Sequence, residues 1–222
     1  MLEILGGRSQ STAPGAFYGS VCALVALLLR VFFRMKVSGD ARIEGPFIVI
    51  ANHESVLDGF VVASAFRTRR LTFLSASYLY DVPIVGSFLR AAGALPVQEQ
   101  AANVGSLRSA IAILKSGGAV ALFPEGGIAG NEILGGAVYL ALKAQVPILP
   151  LRITGTREAL PPGRRRLSLA RIRVGVGAPL CLPAVGQGSG ATRQAVAAGK
   201  EALRRLLSGA DEQAQALKRR PA

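Results

Sequence analysis

A chain of 222 residues is long enough for one large domain, or for one domain with an appendage. Half of its residues are hydrophobic but Trp is absent and aromatics are scarce, so a core has to be built from Ala, Val, Leu and Ile. The 26 Lys and Arg against 13 Asp and Glu leave a net charge of +13, a field that draws polyanions; a mean hydropathy of +0.40 favours an anionic bilayer surface over nucleic acid, which gains nothing from a greasy segment.

Residues 1–14 are polar and rich in Gly, Ser and Pro, and are expected to be a disordered N-terminus. Residues 15–36 are expected to form a membrane-associated helix, since AFYGSVCALVALLLRVFF (16–33) is apolar except for Arg30. At about 1.5 Å per residue it reaches roughly 27 Å, marginal against a hydrocarbon core of about 30 Å, so it either spans or lies in one leaflet. Arg30, Arg34 and Lys36 crowd its C-terminal end, where they can snorkel to headgroups and leave the rest of the chain on the cytoplasmic face. A cleaved signal peptide fits poorly, because charge follows the apolar stretch and no small-x-small site comes after it.

Beyond residue 36 short apolar runs alternate with helical stretches. PFIVIAN (46–52) reads as a buried strand, with further strands expected near 71–75, 119–123, 148–153 and 171–176. Helices are expected at 56–66, 102–116, 132–144 and 191–208. The pattern predicts an α/β fold, a single layered domain over 37–208 with a central, largely parallel or mixed sheet flanked by helices. Residues 209–222, ending KRRPA, form a basic C-terminal tail, either a helix extension or a solvated end. Cys22 and Cys181 lie far apart with no C-x-x-C spacing, and with one His in the chain they read as buried thiols in a reducing compartment, with no metal site.

His53 is the single histidine, so any His-dependent chemistry must use it. It follows the strand at 46–52, and ligand sites in α/β sheets gather outside the carboxyl ends of strands. Within a continuous helix residues five apart diverge by about 140°, so His53 and Asp58 would not meet. With Ser55 as N-cap, His53 sits in the preceding loop and can fold back over the first helical turn onto Asp58. A carboxylate on one ring nitrogen fixes the tautomer and frees the other nitrogen to take a proton. The plain alternative is that Asp58 merely caps a helix and His53 is an ordinary loop residue. Ser55 reads as a cap in preference to a nucleophile.

A second segment, GGAVALFPEGG (117–127), runs an apolar strand into Pro124, which cannot continue a ladder, then Glu125, Gly126 and Gly127. Glycines there let the backbone approach a ligand. Glu125 is either a solvated turn residue or a buried carboxylate with a partner.

Asn52-His53-x-Ser55-x-x-Asp58, followed about 65 residues later by Phe123-Pro124-Glu125-Gly126, resembles the glycerolipid acyltransferase family, typified by the 1-acylglycerol-3-phosphate acyltransferases. Val146-Pro147-Ile148-Leu149-Pro150 is similar to the family's fourth block, and Pro83, Gly86 and Gly93 sit where its second block has Pro and Gly. The resemblance implies that His53 deprotonates a lipid hydroxyl, that Asp58 orients the imidazole, and that the oxygen attacks an acyl thioester of coenzyme A or acyl carrier protein. That thioester is a substrate, and no cofactor or metal is implied. Glu125 would organise the acceptor pocket together with Pro124, Gly126, Gly127, Asn52 and Ser55, with backbone N–H groups near Gly126 or Gly127 facing the tetrahedral oxyanion.

The chain departs from the family where phosphate-bearing acceptors are held. Thr-Arg-Ser usually follows Phe-Pro-Glu-Gly, whereas Gly127, Ile128 and Ala129 stand here. Ala76 and Ser77 replace a Lys ahead of the second block, and Val97-Gln98-Glu99 replaces its Val-Asp-Arg ending. Either another cation such as Arg90, Arg152 or Arg157 serves a phosphate, or the acceptor is a lyso-aminolipid or another lipid without one. A lipid ester or thioester hydrolase, and a catalytically silent membrane adaptor, remain as rival classes. The runs 67–70, 164–166 and 218–220 are solvated loops and tails that could also hold the domain on anionic headgroups.

Overall fold

A computed structural model describes residues 16–97, 104–128, 130, 135–164, 166–184 and 189–218. The expected disorder at 1–14, the residues Gln98, Glu99, Ala129 and Arg165, the first residues of the helices expected at 102 and 132, and the tail end at 219–222 lie outside the described residues. In chain order the elements are α1 (Ala16–Phe33), β1 (Lys36–Ser38), β2 (Phe47–Ala51), α2 (Leu57–Ala65), β3 (Leu71–Ala76), a 3-10 turn (Ser77–Asp81), α3 (Pro83–Ala92) and β4 (Leu95–Val97). They continue with α4 (Val104–Lys115), β5 (Ala119–Leu122), α5 (Gly136–Ala144), β6 (Ile148–Thr154), α6 (Thr156–Ala159), β7 (Arg173–Val176) and α7 (Ser189–Lys218).

The strands form one sheet in the order β1-β7-β6-β2-β5-β3-β4. Every pairing is parallel except β6 with β7. The sheet, expected to be largely parallel or mixed, is mixed, with its antiparallel pairing toward the β1 edge. Strand β2 runs through its centre between β6 and β5 and is buried over its whole length, which is why its sequence is apolar without a break. Its side chains still alternate: Phe47, Val49 and Ala51 enter a core with α1, α2 and α3, whereas Ile48 and Ile50 enter a second core with α4, α5 and α7. Because β2, β5 and β6 are parallel, their carboxyl ends open on the same edge of the sheet.

Several elements lie outside the sequence expectations. β1 and β4 are three residues each, too short for a periodic pattern. In α3, Pro83 occupies the first turn, where its missing N–H costs nothing, and Gly86 lets the helix pass the Tyr80 carbonyl; a Cβ there would lie 2.2 Å from that oxygen. Helix α7 runs past the expected end at 208 to Lys218, through a stretch rich in Ala, Glu, Gln and Leu, all strong helix formers.

The N-terminal helix forms, but the expectation that it might span a bilayer is corrected. No helix among the described residues is long and apolar enough to cross a membrane. The physical reason is packing: Tyr18, Cys22, Ala26, Leu29 and Phe33, at helical spacing, are buried, with α1 packed against α2. A helix with one face sealed against a folded domain cannot be surrounded by lipid. Leu24, Leu27, Leu28, Val31 and Phe32 remain exposed on its outer side. The two thiols also differ from expectation, since Cys22 is buried but Cys181 is exposed.

Candidate active site

The end of β2 carries the site. After Ala51 the ladder stops and Asn52 takes over its bonding through a side chain: Oδ1 accepts the Ile153 N–H at 2.7 Å and Nδ2 donates to the Ile153 carbonyl at 2.9 Å. This pins the start of the turn to β6. Ser55 pins its far end, donating from Oγ to the Leu160 carbonyl at 2.8 Å and accepting the Leu57 N–H at 3.2 Å. Helix α2 starts at Leu57 with Val56 in the capping position, one residue later than expected, yet Ser55 still satisfies a first-turn donor. Asn52 is 2% exposed and Ser55 is fully buried, so both side chains face into the protein.

Between these pins the chain doubles back and brings His53 onto Asp58. The imidazole Nδ1 lies 3.0 Å from Asp58 Oδ2. The same oxygen accepts the backbone N–H of Glu54 at 2.7 Å and of Ser55 at 2.8 Å. Asp58 is fully buried, so it can act on the imidazole but not on a ligand directly. With the carboxylate accepting, Nδ1 carries the hydrogen and Nε2 is left with a lone pair. The ring stacks on Phe123, centroids 4.0 Å apart and planes 12° from parallel, and the His53 side chain is 13% exposed. Carboxylate and aromatic ring together fix the imidazole at the edge of the sheet.

Phe123 comes from the end of β5, which pairs with β2, so the two sequence segments meet through neighbouring parallel strands. Glu125 Oε2 accepts the backbone N–H of His53 at 3.1 Å. Burial pushes the Glu125 carboxyl above the usual carboxylate range, against the opposing pull of the His53 N–H and of the charge on Arg152. The turn closes with the Gly126 N–H donated to the Phe123 carbonyl at 3.3 Å, and Gly126 has φ 71°, a conformation that favours glycine. That N–H is therefore committed within the turn.

A cavity of about 420 Å³ opens beside His53. Val56 ahead of α2, Gly59 and Phe60 of α2, Phe73 of β3, Val85 and Phe88 of α3, and Pro124, Gly126, Gly127 and Ile128 of the turn contribute to its wall. On the other side of β2 lies a polar group: Glu54 Oε1 is 3.3 Å from Asn52 Nδ2 and 3.7 Å from Arg152 Nη2. Among the described residues, no three His, Cys, Asp or Glu side chains gather to hold a metal. Sequence reasoning missed the Phe123 stacking partner, the cavity and the Glu54–Arg152 pair. Phe123, inside the Phe-Pro-Glu-Gly block, and Arg152, a cation inside the otherwise apolar run 148–153, each left a signal, but their contacts did not.

Residues 34–154 match the acyltransferase family model, over half of the chain. The chain belongs to the acyltransferase family. Within it, the chain is similar to the 1-acyl-sn-glycerol-3-phosphate acyltransferase LPAT1 of Arabidopsis thaliana, 26% identical over 67% of this chain and 44% of that protein. It is also similar to the 1-acyl-sn-glycerol-3-phosphate acyltransferase of Streptococcus pneumoniae, 28% identical over 63% of this chain and 54% of that one. The chain therefore spans about half the length of these curated relatives. The acyltransferase fold is shared with the crystal structure of the 1-acyl-sn-glycerophosphate acyltransferase PlsC from Thermotoga maritima, with a TM-score of 0.60 and 23% identity, covering 87% of this chain and 89% of that one. The family-model match takes in β2, the His53–Asp58 turn, the cavity wall at 123–128 and β6 as far as Thr154.

Proposed function

We propose that this chain is an O-acyltransferase that moves a fatty acyl group from an acyl thioester to the free hydroxyl of a lysophospholipid in phospholipid biosynthesis, with 1-acylglycerol-3-phosphate as acceptor. The observation that carries the proposal is the His53–Asp58 contact of 3.0 Å at the mouth of an apolar cavity of about 420 Å³. The acceptor's hydroxyl gives its proton to Nε2 of His53 as its oxygen attacks the thioester carbonyl. Asp58 holds the resulting imidazolium, and the Gly127 N–H faces the tetrahedral oxyanion. The C–S bond then breaks, and His53 returns the proton to the departing thiolate of coenzyme A or acyl carrier protein. The acyl chain lies in the cavity, where each buried methylene contributes about 0.8 kcal/mol. Asn52, Ser55 and Glu125 act by holding the turn, through the bonds described above, while Pro124, Gly126 and Gly127 shape the cavity mouth. The like names of the relatives support the same acceptor.

The exposed Leu24, Leu27, Leu28, Val31 and Phe32 suit α1 to lying in one anionic leaflet, on the cytoplasmic face, with Arg30, Arg34 and Lys36 at the headgroups. One observation favours a second acceptor class without a phosphate: Gly127 and Ile128 form cavity wall where an arginine is expected. The test follows thioester consumption and acyl-lipid formation together, with and without lysophosphatidate. Product formation that requires the acceptor is expected. Equal thioester turnover without any acceptor would identify a hydrolase instead.

A further inference from the structure

We propose that Arg152 is the anchor for the acceptor's phosphate, and that Glu54 helps to orient its guanidinium. The inference rests on the lysophosphatidate proposal and names the residue that replaces the missing fork. Gly127 and Ile128 line the cavity and carry no charge, so among the described residues the turn after Glu125 offers no charged side chain for a phosphate there. Arg90 donates to the Tyr80 carbonyl at 2.9 Å, at the foot of α3, and so is tied to the 3-10 turn. Arg152 is placed differently. It projects from β6, next to the Ile153 backbone that Asn52 grips, and β6 flanks β2 on the side opposite β5. The apolar cavity is walled by residues of the β5 and β3 side, and neither Arg152 nor Glu54 belongs to its lining. His53 therefore stands between an apolar chamber and a cation. An acyl chain in the chamber and a phosphate on the cation would bring thioester and hydroxyl together at Nε2.

The Glu54–Arg152 pair is a loose contact. Its 3.7 Å separation is longer than the roughly 2.7–2.9 Å of a charge-assisted hydrogen bond, and the two side chains are 18% and 30% exposed. A phosphate offers a guanidinium two short parallel bonds and more charge than the distant carboxylate it replaces. The Arg152 charge also reaches Glu125, so the same cation faces both carboxylates that flank His53.

The experiment compares lysophosphatidate with monoacylglycerol, the same acceptor without its phosphate, in wild-type protein and in Arg152→Gln, Arg152→Lys and Glu54→Gln variants. Arg152→Gln is expected to raise KM for lysophosphatidate about ten- to a hundredfold more than KM for monoacylglycerol, the size of a lost charged hydrogen-bond pair. Arg152→Lys restores part of the loss, and Glu54→Gln lowers the lysophosphatidate KM by removing a negative charge from beside the phosphate. Equal effects of Arg152→Gln on both acceptors, or an unchanged wild-type preference for lysophosphatidate in that variant, overturn the anchor alone. Wild-type protein that acylates monoacylglycerol as well as lysophosphatidate overturns the phosphate-bearing acceptor and the anchor together.

Discussion

Asp58 concentrates three N–H donors on one oxygen, those of His53, Glu54 and Ser55, while its Oδ1 has no hydrogen-bond partner among the described residues. Asp58→Asn can keep the three bonds by presenting its carbonyl, but it buries an amide without an acceptor and removes the charge that supports an imidazolium. Acyl transfer should fall about 10³–10⁴-fold in steady-state rate, with a stability loss of about 1–3 kcal/mol in denaturant melts. Asp58→Ala strands all three donors and should cost more stability than Asp58→Asn. At Glu125 the sign of the pH effect follows from its raised carboxyl. A folded-state pKa above the unfolded one makes the fold hold the proton more tightly, so stability is greatest on the acid side and declines as pH rises through the folded value. Glu125→Gln keeps an acceptor for the His53 N–H and has no charge to bury. Thermal melts from the ordinary carboxylate range to neutral pH should show a flatter slope for the variant, and an unchanged slope would show that Glu125 is not the group responsible. The His53–Asp58 pair was legible because both residues lie in one turn whose strand and helix announce themselves. The Asn52–Ile153 clamp was not, because its partners are 101 positions apart and meet only once β2 and β6 pair.

Among the elements, the strands were readable where burial on both faces demanded unbroken apolar runs, as in β2 and β5. Helix α3 was not, because Pro83 and Gly86 look like breakers until the neighbouring Tyr80 carbonyl explains them. Gly86→Ala drives a methyl into that backbone oxygen, so the helix must shift away from the 3-10 turn. A loss of about 1–3 kcal/mol, as for overpacked cores, is expected in denaturant unfolding. Gly59 of α2 has the opposite setting, since it lines the cavity and a Cβ there meets nothing within 4 Å. Gly59→Leu should therefore fold normally and fill part of the chamber. Competition between thioesters of different length should shift toward shorter acyl chains; an unchanged preference would mean that the chain lies elsewhere.

For the whole molecule, the sheet separates two cores, and α1 adds a third layer that is sealed on one side and apolar on the other. At the protein's net charge of +13, the proposed docking of α1 on anionic lipid would draw on both apolar and electrostatic terms. Replacing Leu24, Leu27 and Val31 together by Ser removes about 1.5–3 kcal/mol of insertion energy per side chain without touching the buried face. Sedimentation with anionic vesicles should show binding reduced at least a hundredfold at an unchanged melting temperature, and retained binding would place the docking face elsewhere. Composition alone pointed to lipid, but it could not separate a spanning helix from a packed one, because that depends on whether the domain supplies a surface for Tyr18, Cys22 and Leu29. The most direct measurement is the acyl-transfer rate of His53→Ala on lysophosphatidate, taken beside its circular dichroism and vesicle binding. The account predicts a loss of at least about 10²–10⁴-fold with fold and binding intact, and a variant that retains a tenth or more of the wild-type rate would contradict it.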